Sequence, residues 1–251
     1  MSVCSNLDKT LKQIRDVVDI YYTIATDNEV DYRIKKMYAD LLDCLNDNLD
    51  GIKYGFSPPY SYQKITSNVA LSKKQFEEAL IDSNTFEYVI FSENISGFKN
   101  ENKTIIFRNC VFKDFYAAFF FQNNIEHLVF ENCVILNNDA SFAFADCHFL
   151  QSLTFRADTA RVTKTSYMFA GCTHLENLKL SMSTFYVEDM TGMFECCYHL
   201  VVLDIGFFSI INLKHYDMMF RSCKNLTHLR LPGDMYKSRD MFWKCKKLRL
   251  T

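Results

Sequence analysis

A single phrase, written four times in the last third of the chain, limits what this sequence can fold into. Met168-Phe169-x-x-Cys172-x-x-Leu175-x-x-Leu178-x-Leu180 returns as Met193-Phe194-x-x-Cys197-x-x-Leu200-x-x-Leu203-x-Ile205. It returns again as Met219-Phe220-x-x-Cys223-x-x-Leu226-x-x-Leu229-x-Leu231, and a clipped copy reads Met241-Phe242-x-x-Cys245-x-x-Leu248. The cysteines stand 25, 26 and 22 residues apart. Self-similarity at such a period marks a solenoid, in which each coil is too small to cover its own apolar sides and gains a core by lying on the next.

Each phrase has two parts. Met-Phe-x-x-Cys sets apolar side chains at i, i+1 and i+4, one stripe of a short helical turn. Leu-x-Leu alternates with period 2, as a strand with one buried face does. The pattern runs backwards through looser copies, Ala143-Phe144-x-x-Cys147-x-x-Leu150-x-x-Leu153-x-Phe155 and Ala118-Phe119-x-x-Gln122-x-x-Ile125-x-x-Leu128-x-Phe130. Ile105-x-Phe107 and Phe86-x-x-Val89-x-Phe91 read as the first two strands. The expected fold is α/β, a right-handed solenoid of about eight coils with a parallel sheet and short helical turns.

The L-x-x-L-x-L core is that of leucine-rich repeats. Met193-Phe194-x-x-Cys197-x-x-Leu200-x-x-Leu203-Asp204, with Val187-x-x-Met190 before it, resembles the BspA-type leucine-rich repeat, and Tyr216-x-x-Met219-Phe220 and Met235-x-x-Ser238-x-x-Met241-Phe242 keep the same spacing. The resemblance implies repeats that act as protein-binding surfaces, often on secreted or cell-surface proteins. A surface adhesin whose export signal is absent from this chain is therefore one role it implies. The second-strand phrase that follows the leucines in that family reads as largely eroded.

Upstream, residues 1–51 read as a helical hairpin. Leu7, Leu11, Ile14, Val18 and Tyr21 form one stripe; Val30, Ile34, Met37, Leu41 and Cys44 form another behind the capping box Thr26 to Glu29. Such a hairpin is expected to cap the first coil, with dimerisation or target binding as its alternative role. Residues 52–84 read as a linker around Pro58-Pro59 and a short helix from Leu71 to Ile81, with Ser72 as N-cap and Phe76, Leu80 and Ile81 inward. The solenoid then occupies 85–251.

Composition narrows the classes. Apolar residues make up 49% of the 251, and 7 Gly with 3 Pro exclude collagen-like or low-complexity stretches. No apolar run reaches the ~20 residues that cross a bilayer. Asp8, Asp16 and Asp19 break up the N-terminal stretch, so no signal peptide is read there. The expectation is a cytoplasmic protein without membrane contact, in the host cytoplasm if its source is a virus. Of 10 cysteines, Cys147, Cys172, Cys197, Cys223 and Cys245 hold one place in successive coils. They are expected inward and reduced, packing as small hydrophobes rather than bridging.

No phosphate-binding glycine loop is present, and no nucleophile has an identifiable base partner, so neither enzyme activity nor a cofactor is expected. Cys172-x-His174 and Cys197-x-His199 place two Cys and two His on neighbouring coils, a zinc-like set. Cys and His two apart in an extended turn point to opposite sides, however, and the same column holds Asn124, Phe149 and Asn225. A polar position that bonds the turn accounts for all but Phe149, so no metal is expected.

The expected function is non-enzymatic protein binding, as a scaffold or as an inhibitor that occludes a partner. The candidate contact residues alternate with the buried leucines: His127, Glu176, Lys179, Val201, Asp204, His228 and Arg230, with Val201-Val202 as apolar centre. The net charge of −2 conceals an asymmetry, with Lys+Arg against Asp+Glu at 11 to 15 in residues 1–100, 7 to 11 in 101–200 and 10 to 4 in 201–251. Lys237, Arg239, Lys244, Lys246, Lys247 and Arg249 surround Tyr236, Phe242 and Trp243 as a basic patch. It suits an acidic protein; single-stranded nucleic acid is the alternative ligand. A homodimer through an uncapped C-terminal coil, or through the N-terminal hairpin, is a further alternative.

Overall fold

The computed structural model describes residues 69–249, apart from 234, 236, 237 and 239. The expected hairpin over residues 1–51 and most of the expected linker lie outside the described residues.

The first described elements are strand β1 (Val69–Leu71), helix α1 (Lys73–Asp82), and strands β2 (Thr85–Glu87) and β3 (Val89–Phe91). Helix α1 starts where the sequence places it. The Ser72 hydroxyl accepts from the Gln75 N–H at 3.3 Å, and the Gln75 side-chain oxygen accepts from the Ser72 N–H at 2.9 Å, a full capping box. Phe76 and Leu80 are buried against the first coil, with the Phe76 ring 4.9 Å from Phe86 and 5.1 Å from Phe91. Ile81, expected inward, is 83% exposed, because two residues are enough for one side of so short a helix and the next step turns away. Helix α1 thus packs over the start of the solenoid.

The remaining strands are β4 (Thr104–Arg108), β5 (Val111–Phe112), β6 (His127–Ile135), β7 (Ser152–Asp158), β8 (Asn177–Ser181), β9 (Val202–Asp204) and β10 (His228–Arg230). Every pairing is parallel and joins neighbouring coils, in an eight-stranded sheet from β1 to β8 and a two-stranded one of β9 and β10, in about seven turns. The count is one below the number of phrases because the last phrase, Met241 to Leu248, contributes a turn without a described strand. The second strand expected to be eroded is present in the early coils as β3, β5 and the far ends of β6 and β7, and β1 adds to it beside β3. Among the described residues the coils of β8, β9 and β10 carry none.

Two columns of rings fill the early core. On the strand side Phe86, Phe107 and Phe130 stack at 5.7 and 4.9 Å, and Phe155 follows at 5.4 Å. On the turn side Phe119, Phe144, Phe169, Phe194 and Phe220 repeat every 5.3–5.5 Å, with Phe242 at 5.9 Å. Burying each ring stabilises by roughly 1.5–3 kcal/mol, which no isolated coil could realise.

The Met-Phe-x-x-Cys runs are not the short helices that their spacing predicts. The N–H groups of Ala118, Phe120 and Gln122 bond within the coil, to carbonyls three residues back at 3.0–3.3 Å. Those of Ala117, Phe119 and Phe121 leave it, donating to Ser141, Ala143 and Ala145 of the next coil at 3.0, 2.7 and 2.9 Å. An α-helix would direct every N–H along its own axis and leave none for the neighbour. A left-handed residue on either side of each central Phe swings alternate N–H groups outward: Phe142 and Asp146 have φ 59° and 57°, and Met218 and Ser222 have 57° and 63°. Each such non-glycine residue costs on the order of 1 kcal/mol, which the inter-coil bonds and the ring column offset.

The five aligned cysteines are free thiols; four are buried and Cys245 is half-buried. Each lies 2.9–3.2 Å from the carbonyl of the preceding coil's Phe. Gln122 holds the same place one coil earlier, and its amide donates to the Phe98 carbonyl at 2.9 Å. The column thus requires a compact donor, which explains cysteine where an aliphatic residue would pack as well.

Candidate interaction face

The outward side chains of the strands form three files. One runs Thr104, His127, Ser152, Asn177, and a second Thr85, Ile106, Val129, Thr154, Lys179. A third runs Glu87, Arg108, Glu131, Arg156. In this third file Arg108 lies 3.0 Å from Glu87 and 2.9 Å from Glu131, and the bonds to those two carboxylates raise the guanidinium pKa. The ladder satisfies the early strand face internally. Sequence reasoning missed it, although opposite charges one coil apart at outward strand positions were there to be read.

Among the described residues the ladder of strands is interrupted between β8 and β9. β8 pairs with β7, and β10 with β9, but no pairing and no main-chain hydrogen bond joins β8 to β9 among the described residues. The file of leucines runs in register from Leu128 through Leu153 to Leu178 and resumes as Leu203 beside Leu229. Among the described residues, strand pairing does not tie this file together between Leu178 and Leu203. The two coils stay joined elsewhere. Phe169 stacks on Phe194 at 5.3 Å, and the Thr184 hydroxyl accepts from the Ser209 N–H at 2.7 Å. The gap falls one coil beyond the last that carries a second strand and a strand-side Phe, the coil of β7, so a thinner core holds that side. Leu178 and Leu180 are only half-buried, whereas Leu153 and Phe155, their counterparts one coil back, are completely enclosed.

The expected contact residues cluster around this gap, with one exception. Lys179 is exposed on β8, and Glu176 just before it. Val201 and Val202 are 46% and 61% exposed beside β9. His228 lies opposite Val202, and Arg230 opposite Asp204 with their charges 3.5 Å apart. His127 is far along the first file and half-buried, its Nδ1 2.8 Å from the Ser152 hydroxyl.

The zinc-like pairs diverge. Cys172 and Cys197 direct sulfur inward to Phe144 and Phe169 carbonyls, while His174 and His199 are exposed. His174 Nδ1 lies 2.6 Å from the His148 carbonyl and His199 Nδ1 2.5 Å from that of Thr173. Asn124 makes the same bond to the Asn100 carbonyl at 2.7 Å. Phe149, the residue that fits no polar role, stacks on His174 at 5.7 Å, and His174 on His199 at 5.0 Å.

Of the expected basic patch, Lys237 and Arg239 lie outside the described residues; Lys244, Lys246, Lys247 and Arg249 are exposed. The coil below contributes Arg221 and Lys224, which sequence order had kept apart from them: the Ser222 N–H donates to the Trp243 carbonyl at 2.7 Å and sets the two turns in step.

A parallel sheet wound coil upon coil around stacked Leu and Phe defines a leucine-rich-repeat solenoid, a class that points to protein interaction and typically lacks enzymatic activity. Residues 140–250 match, in six copies, the family described as BspA type leucine rich repeat region, and this part of the chain is such a region. The coils before residue 140 lie outside that match yet continue the same sheet through β4, β6 and β7. No curated protein and no solved structure was found to match the chain.

Proposed function

We propose that the chain is a non-enzymatic module that binds a partner protein through the outward strand face around the β8–β9 gap. One observation carries the reading: Val201 and Val202 stand exposed at the start of β9, where, among the described residues, the strand ladder is open towards β8. Apolar side chains gathered at the centre of a broad face, with Glu176, Lys179, His228 and the Asp204–Arg230 pair around them, have the build of a protein contact: an apolar middle and a polar rim. His127 then belongs to the far edge of the face. Bound there, the chain would act as a scaffold or occlude the partner's own surface.

The test replaces Val201 and Val202 together by serine. Both are exposed, so folding is retained. Proteins captured by the native chain in its own cell are expected to be lost from the variant while a Lys224→Glu, Lys246→Glu variant keeps them. A captured set that survives the two serines moves the site elsewhere.

A further inference from the structure

The last two Met-Phe-x-x-Cys turns carry a second surface, on the turn side of the coils and away from the strand face. Here Arg221 and Lys224 of one turn stand in step with Trp243, Lys244 and Lys246 of the next. Lys244 Nζ lies 4.0 Å above the Trp243 ring, with the Arg221 guanidinium carbon 4.9 Å from the same ring, and Lys224 Nζ lies 3.9 Å above Tyr198. Arg221 is paired with Glu195 at 3.4 Å. Among the described residues Lys224, Lys244 and Lys246 have no acidic partner, and Lys247 donates to the neutral Asn225 at 2.8 Å.

We propose that this cation–aromatic surface docks an acidic protein segment, a run of aspartate or glutamate side chains. Charge complementarity is the first argument. From Met219 to Arg249 the described chain sets seven Lys or Arg against one acid, Asp240. Aromatic rings beneath the ammonium groups hold them in place without neutralising them, so they remain able to meet carboxylates. Single-stranded nucleic acid fits less well on two counts. Stacking a base needs an open ring face, and the Trp243 ring already carries the molecule's own cations. A long polyanion would also run on over coils whose charge is acidic, with 7 Lys+Arg to 11 Asp+Glu in residues 101–200.

Trp243 is the only tryptophan in the protein, so its fluorescence reports this surface alone. The full chain is titrated with a short polyglutamate peptide and, separately, with oligothymidylate. A saturable change with polyglutamate is expected, weakened by salt and weakened about tenfold or more in a Lys224→Glu, Lys246→Glu variant. The Val201→Ser, Val202→Ser variant is expected to bind polyglutamate as the native chain does, which separates this surface from the strand face. No saturable response to polyglutamate, a response indifferent to the two charge reversals, or tighter binding of oligothymidylate would each overturn the proposal.

Discussion

Cys172 Sγ lies 3.1 Å from the carbonyl oxygen of Phe144 in the coil before it. Among the described residues the one other main-chain donor to that oxygen is the Cys147 N–H, at a long 3.4 Å. The thiol is thus both packing and donor. Cys172→Val keeps an apolar side chain but leaves a buried carbonyl poorly satisfied, and is expected to cost about 1–3 kcal/mol. Cys172→Ser keeps a donor and is expected to cost less than the valine despite being the more polar change. Chemical denaturation of the two variants checks the order; a valine that is the better tolerated would remove the hydrogen bond from the explanation.

The same column predicts how stability responds to alkali. Burial pushes the Cys147 thiol up to about 12 and those of Cys172, Cys197 and Cys223 well above their ordinary 9.0. Once the pH passes 9.0, the unfolded chain begins to lose these protons while the folded chain keeps them. The folded state then holds more protons, so its stability falls as pH rises through that window, by roughly 1.4 kcal/mol per pH unit for each thiol. Below 9 these groups leave stability unchanged. Unfolding followed from about pH 8 to 11 is expected to show this decline, less steep in Cys147→Ser. Equal slopes would place the alkaline transition on other groups.

Much of this architecture could be read from spacing alone. Gln122 stands one coil before Cys147 in its column and Asn124 two coils before His174 in its own, and the structure gives each the equivalent carbonyl partner in the coil before it. Side-chain identity at a repeated position reveals what that position needs. It does not reveal how the backbone meets the need. Met-Phe-x-x-Cys has the apolar stripe of a helix, yet alternate N–H groups must reach the next coil, and that demand wins over local periodicity. The gap between β8 and β9 was likewise hidden, because Leu178 and Leu203 obey the repeat perfectly well as letters. What changes there is the neighbourhood: the second strand ends, and Phe155 gives way to Leu180.

Gly192 is the one place where the turn-side file of Phe142 and Tyr167 is interrupted by a residue without a side chain. Phe142 and Tyr167 stack at 5.2 Å, and the Tyr167 ring lies where a β-carbon on Gly192 would come within 2.3 Å of it. The glycine also has φ +59°. Gly192→Ala is therefore expected to destabilise by about 2 kcal/mol or more, from backbone strain and displacement of the ring together. In a Tyr167→Ala background the same substitution should cost less, since only the strain remains. A double-mutant cycle measures the difference; a coupling energy of zero would mean that the ring moves aside freely.

The opening in the strand ladder has a dynamic consequence. In a paired ladder each strand's N–H groups are held by a neighbour and exchange with solvent only when the coils separate. β7 is held on both sides, by β6 and β8. Among the described residues β8 and β9 are each held on one side only, so the groups that face the gap have no strand partner. Hydrogen–deuterium exchange read on peptides is therefore expected to show residues 177–181 and 202–204 exchanging well before residues 152–158, although all three belong to the same solenoid. Binding of a partner across the strand face should slow the first two segments and leave 152–158 unaffected. Uniform protection of the three segments in the free protein would close the gap, and with it the reason for placing the contact there.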